Sequence, residues 1–181
     1  MSMTLNPVNE AAFQKAVQSL ETLNRAAVFH PTGTGKSCIA WKVVEAHPQT
    51  TFFWLVAGAQ RLALRQAELT RYNGGTLPGN VRFCDCEKLA AATPEQWVRL
   101  GEQKPGCMVL DCYHELSAVC WAQSVQKLLR MCPQAKVLGL GVPNGAPVCA
   151  AAQELFADCI VSHMTVAEAM AAGTMPVPSA Y

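Results

Sequence analysis

The sequence carries little charge. Lys and Arg number 14 and Asp and Glu 13 in 181 residues, so charged residues make up only 15%. Ordinary soluble domains carry about 25%. A net charge of +1 offers no bulk attraction for nucleic acid, which usually shows as a strongly basic domain or stripe. A local basic patch stays open. With 51% apolar residues the chain is no disordered tail, and the low charge points to a surface meant for a partner. No apolar run of about 18 residues occurs, so no helix reads as crossing a membrane. The first ten residues have neither a basic start nor an apolar run, and do not read as a secretory signal. The nine cysteines are odd in number and include no C-x-x-C pair, which argues against a disulfide framework or a zinc ribbon. Free thiols in this number fit a reducing cytoplasm. Cys107, Cys120 and Cys159 sit in apolar runs as small hydrophobes. Cys84-Asp85-Cys86 is the one close pair, and it reads as core plus loop rather than a metal site. There is no internal repeat, low-complexity tract or linker. The length fits one domain, 1–181, with a proper core.

What is present is an alternation. Helical spacing of Ala12, Phe13, Ala16, Val17 and Leu20 predicts a helix over 9–23. Further helices are expected over 35–46, 60–70, 87–91, 94–100, 117–131, 150–156 and 165–172. Short apolar strands are expected over 26–29, 50–56, 81–84, 107–110 and 135–140, with 159–161 extended. Strands alternating with helices mean βαβ units and a mostly parallel sheet. Continuous apolar strands are those of a sheet covered by helices on both faces. The class is α/β, and ligands in such sheets bind beyond the carboxyl ends of the strands.

The unusual residues fall there. His30-Pro31-Thr32-Gly33-Thr34-Gly35-Lys36-Ser37 follows the first strand and opens a helix. Gly33 and Gly35 allow backbone N–H groups to turn inward around a phosphate, and the helix start adds partial positive charge. Lys36 would reach the β/γ-phosphates and the Ser37 hydroxyl a Mg²⁺ ion. The plain alternative is a Gly-rich turn capping a helix, but the strand–loop–helix context favours nucleotide phosphates. Such a loop needs a carboxylate at the end of another strand for the hydrated metal, and Cys107-Met108-Val109-Leu110-Asp111 supplies one.

Together these residues resemble the first motor domain of superfamily 2 helicases, the DEAD/DExH and type III restriction-subunit group, over nearly the whole chain. Residues 28–37 resemble motif I, A-x-x-G-x-G-K-T, in which the position of His30 need not be Gly. Leu55-Val56-Ala57-Gly58-Ala59-Gln60-Arg61-Leu62, with Arg65-Gln66, resembles motif Ia. The resemblance implies that Ala57, Gly58, Gln60, Arg61 and Arg65 touch a nucleic-acid backbone, of DNA or RNA. Asp111-Cys112-Tyr113-His114 resembles motif II, D-E-x-H, and residues 137–143 stand where relatives have motif III. The implied fold is the P-loop NTPase, RecA-like sheet. The implied ligands are ATP on 30–37 and Mg²⁺ on Ser37 and Asp111, with Asp111 and His114 in catalysis.

The departures bear on activity. Cys112 stands where motif II has its water-activating Glu. A thiol accepts hydrogen bonds weakly, and loss of a positioned base typically costs roughly 10²–10⁴ in rate. The motif III hydroxyls are replaced by Gly141, Val142 and Pro143 or Asn144, and the Thr-Tyr segment of relatives by Asp85-Cys86. The second motor domain, which in relatives supplies arginines, lies outside these 181 residues. Hydrolysis by this chain alone is therefore expected to be absent or very slow. An alternative is a non-enzymatic protein-interaction module on a decayed motor domain, and a small-substrate kinase is a further one. A second motor domain or another protein is the expected partner. Arg61 and Arg65 meet phosphates or line a solvated face. Glu115 lies three residues beyond Cys112 and points elsewhere than the missing Glu. Trp41, Trp54, Trp97 and Trp121 read as core.

Overall fold

A computed structural model describes residues 3–111, 113–143 and 150–175, the side chain of residue 151 excepted. Helix α1 (Pro7–Thr22) begins two residues before the periodic pattern does. Asn6 caps it by accepting from the Asn9 amide, and Pro7 stands at its first position, where its missing N–H costs nothing. Then come β1 (Arg25–Phe29), α2 (Lys36–Ala46), β2 (Phe52–Val56), α3 (Ala59–Tyr72) and β3 (Val81–Asp85). They are followed by α4 (Cys86–Ala90), α5 (Pro94–Glu102), β4 (Cys107–Asp111) and a 3-10 turn at Tyr113–Glu115. Next are α6 (Ala118–Trp121), a π turn (Ala122–Gln126), α7 (Lys127–Met131), β5 (Lys136–Gly141), α8 (Ala150–Phe156), β6 (Ile160–His163) and α9 (Val166–Ala171).

The strands form one parallel sheet in the order β3-β2-β4-β5-β1-β6. Side chains alternate between its faces, so each strand feeds two cores. Val28, Trp54, Val109 and Leu140 pack under α1, α2 and α3. Ala27, Met108 and Leu110 pack on the other face with Trp97, Trp121 and Phe156. All four tryptophans are buried, as their positions implied. Burying an aliphatic or Phe-sized side chain stabilises by about 1.5–3 kcal/mol.

The helix expected over 117–131 is interrupted by the π turn at Ala122–Gln126. There the Ser124 hydroxyl donates back to the Cys120 carbonyl at 2.5 Å, a local bond that competes with regular helix geometry. Trp121, Val125 and Leu128, before, within and after this turn, all lie in the core. The seven cysteines among the described residues are free thiols, and burial pushes those of Cys84, Cys86 and Cys107 up to about 12. No described helix is long and apolar enough to cross a membrane.

Candidate nucleotide-binding site

Sheet register sets the site. Val28 of β1 and Asp111 of β4 both pair with Leu140 of the intervening β5. Loop 30–37 and the Asp111 carboxylate therefore stand at the same end of the sheet, two strand spacings of about 4.8 Å apart. Alternation places Asp111 on the same face as Val109 and Cys107, beneath α2 and α3. A cleft of about 410 Å³ lies there, lined by Thr32, Gly33, Gly35, Lys36, Asp111 and His114 among others.

The loop is built by internal hydrogen bonds. Gly33 and Gly35 take φ of +86° and +88°, which L side chains adopt only at a cost. The Thr34 hydroxyl donates to the Pro31 carbonyl at 2.8 Å. The Lys36 ammonium donates to the His30 and Pro31 carbonyls at 2.8 and 2.9 Å. Its charge thus stays inside the loop, at the first residue of α2. Asn9 of α1, buried, donates to the Thr34 carbonyl at 2.8 Å. Sequence reasoning missed Asn9, although a polar residue on a helix face otherwise made of Ala12, Ala16 and Leu20 was a signal. His30 is fully buried, and its Nε2 shares a 2.7 Å hydrogen bond with Ser162 of β6. Burial, then the charges of Lys36 and His163, push its pKa down to about 4, so it is neutral near pH 7.

Asp111 is engaged from two sides. Its Oδ2 accepts from Trp54 Nε1 at 3.0 Å and from Arg65 Nε at 2.5 Å. Arg65 also pairs with Glu68, and Arg61, one turn earlier on α3, pairs with Glu115. Tyr72 of α3 lines the same cleft as Ser37, and the pKa of its hydroxyl is raised by burial and by the Cys38 thiol while Ser37 works the other way. The two residues expected to hold Mg²⁺ are thus brought into one cleft, and the Asp111 carboxylate meets Arg65 of α3. Mg²⁺ demands near-ideal octahedral oxygen ligation, and a guanidinium against the carboxylate opposes a dication. As placed, Arg65 rather than a dication sits against Asp111.

The remaining candidates lie around this centre. His114 lines the cleft. Burial lowers its pKa, partly offset by Glu115, and its Nδ1 finds no partner among the described residues. Cys112 and Asn144 lie outside the described residues, as does the end of the chain from 176. Of the motif Ia positions, Gln60 is exposed and Ala57 and Gly58 are half-buried. Gly58 takes φ of +85°, and its amide donates to Asp85 at 3.2 Å. Asp85 also accepts from the Glu87 amide at 3.0 Å as the cap of α4. It is buried, a structural clamp rather than a charge facing a nucleic acid. The motif III positions have a packing role too. A Cβ at Gly139 would meet the Phe156 ring at 2.6 Å, and one at Gly141 the Phe29 ring at 2.5 Å.

This parallel sheet flanked by helices, with its loop after β1, is the P-loop NTPase, RecA-like fold of helicase motor domains. No protein-family model matches the sequence, and no curated protein does. Among solved structures, the chain is similar to a hypothetical ATP-dependent RNA helicase from Sulfolobus tokodaii, with a TM-score of 0.65 and 9% identity over 90% of this chain and 53% of that one. It is also similar to the ATP-dependent Type ISP restriction-modification enzyme LlaBIII bound to DNA, with a TM-score of 0.62 and 12% identity over 93% of this chain and 16% of that one. The chain thus spans about half of the first neighbour and a sixth of the second. At identities this low the likeness is one of fold, and the fold is helicase-like.

Proposed function

We propose that this chain is a nucleotide-binding domain of the helicase motor type, taking the phosphates of ATP on residues 30–37. The observation that carries the reading is the loop itself. Two glycines at positive φ flank Thr34, Lys36 opens α2 with its ammonium held in the loop, and Asp111 stands beside it two strands away. Backbone N–H groups at a helix start and a lysine on a rigid loop are what a phosphate chain requires. Turnover by this chain alone is slow, because Cys112 stands where relatives have the water-activating Glu. Nucleic acid is the second ligand of the proposal. Gln60 and the 57–58 turn are its first contacts, while Arg61 and Arg65 are engaged with carboxylates.

Calorimetry with ATP and ADP, on the wild type and on Lys36→Ala, tests the nucleotide site. Micromolar affinity is expected. The variant should lose about ten- to a hundredfold, the value of a hydrogen bond to a charged group. A folded wild-type chain that binds neither nucleotide refutes the reading and leaves the protein-interaction module in its place. Nucleic-acid affinity, measured separately, should fall with rising salt.

A further inference from the structure

We propose that Arg65 is the resident cation of the phosphate cleft, so that the site takes the polyphosphate of a nucleotide without a divalent metal. The inference rests on the nucleotide reading above and deepens it. Asp111 has a side chain only 2% exposed, and the guanidinium lies directly against it. Arg65 Nε lies 2.5 Å from Oδ2, the same oxygen that accepts from Trp54 at 3.0 Å. The second contact, from Nη1 to Glu68 one turn on, fixes the plane of the fork. A guanidinium keeps its charge at any working pH and carries five N–H donors in a planar array that suits phosphate oxygens.

The charges of the cleft lead the same way. Lys36, Arg61 and Arg65 face Glu68, Asp111 and Glu115, so the formal charges cancel with His114 neutral. Without Arg65 the balance turns negative, and a phosphate could approach Asp111 only with an added cation. The guanidinium neutralises that carboxylate from within and competes with a hydrated cation for it. Tyr72, on the same helix, lines the cleft together with Ser37, the other group a metal would need.

ATP affinity should be measured by calorimetry at constant ionic strength, in excess EDTA and in saturating magnesium, on wild type, Arg65→Gln and Arg65→Lys. The wild type should differ by less than about threefold between the two buffers. Arg65→Gln should lose about ten- to a hundredfold in EDTA and regain most of it with magnesium. Arg65→Lys, which keeps the charge, should stay metal-independent. Electron paramagnetic resonance of Mn²⁺ with ATP gives a second readout. An immobilised protein-bound signal is expected for Arg65→Gln and not for the wild type. Should Arg65→Gln fail to fold, the wild-type comparison and Arg65→Lys decide. Wild-type binding that is lost in EDTA and restored by magnesium overturns this inference and leaves the nucleotide site standing. A folded wild-type chain that binds in neither buffer overturns both.

Discussion

The phosphate loop contains two glycines with nearly the same backbone conformation and different surroundings, and replacing each by alanine separates strain from packing. Gly33→Ala and Gly35→Ala both place a Cβ at positive φ, +86° and +88°, which costs about 1–2 kcal/mol. At Gly33 that is all, because the new Cβ meets nothing within 4 Å. At Gly35 it would lie 2.9 Å from Asn9 Nδ2, the atom that donates to Thr34 at 2.8 Å. Asn9 must then turn away, and a buried donor left unmatched adds about 1–3 kcal/mol. Gly35→Ala should therefore cost about 2–5 kcal/mol in total and Gly33→Ala about 1–2. For a domain of this length each kcal/mol lowers Tm by about 2–4 °C. Thermal unfolding followed by circular dichroism, with urea titration for the free energies, resolves the difference. In an Asn9→Ala background the excess cost of Gly35→Ala should vanish, giving a coupling of about 1–3 kcal/mol in the double-mutant cycle. Equal destabilisation by the two substitutions, or a cycle that closes without coupling, would refute the reasoning.

Three further outcomes follow from the same structure. His30 is held neutral, with a folded pKa of about 4 against 6.5 unfolded. The unfolded chain binds the extra proton, so stability is full above pH 6.5 and falls as pH drops toward 4, by at most about 1.4 kcal/mol per pH unit for this residue. His30→Gln should flatten Tm against pH across that window, and an unchanged slope contradicts the assignment. Gly139→Ala should destabilise by about 1–3 kcal/mol through overpacking against Phe156, and Phe156→Leu should recover part of it in the double mutant. Thr93, which forms a capping box with Gln96 at the start of α5, should cost about 1 kcal/mol as Thr93→Ala, measured as a shift in urea midpoint.

The order of helices and strands was legible because it depends on local pattern: Val, Phe and Trp runs for strands, apolar stripes for helices, Thr93-Pro94 and Thr165 as caps. The loop and Asp111 were legible because their spacing and context carry a chemical reason. Arg65 was not. Four residues after Arg61 on a polar helix, it looks like a solvated side chain, and its partner lies on β4, across β2, where only tertiary geometry brings the two together. Trp54 read correctly as core, yet its indole N–H also orients Asp111, a second role that composition does not reveal. Gly139 and Gly141 looked like remnants of a motif, whereas the rings of Phe156 and Phe29 lie close enough to fill the space of a side chain. The π turn escaped because a surplus residue within a helix leaves the apolar pattern almost intact.

Helix α3 has one buried residue, Leu69, while Leu64 stands exposed. Much of what fastens it near the strand ends is ionic: Arg61 on Glu115, Arg65 on Asp111. On the opposite face, Trp97, Trp121 and Phe156 anchor their elements by packing in the core. Salt screens exposed charges far more than buried ones, so concentrated electrolyte loosens the Arg61–Glu115 pair and leaves the buried Arg65–Asp111 pair largely in place. The molecule has a built-in seam at the first turn of α3, where Arg61 and Glu115 can part while Leu69 keeps the helix rooted in the core.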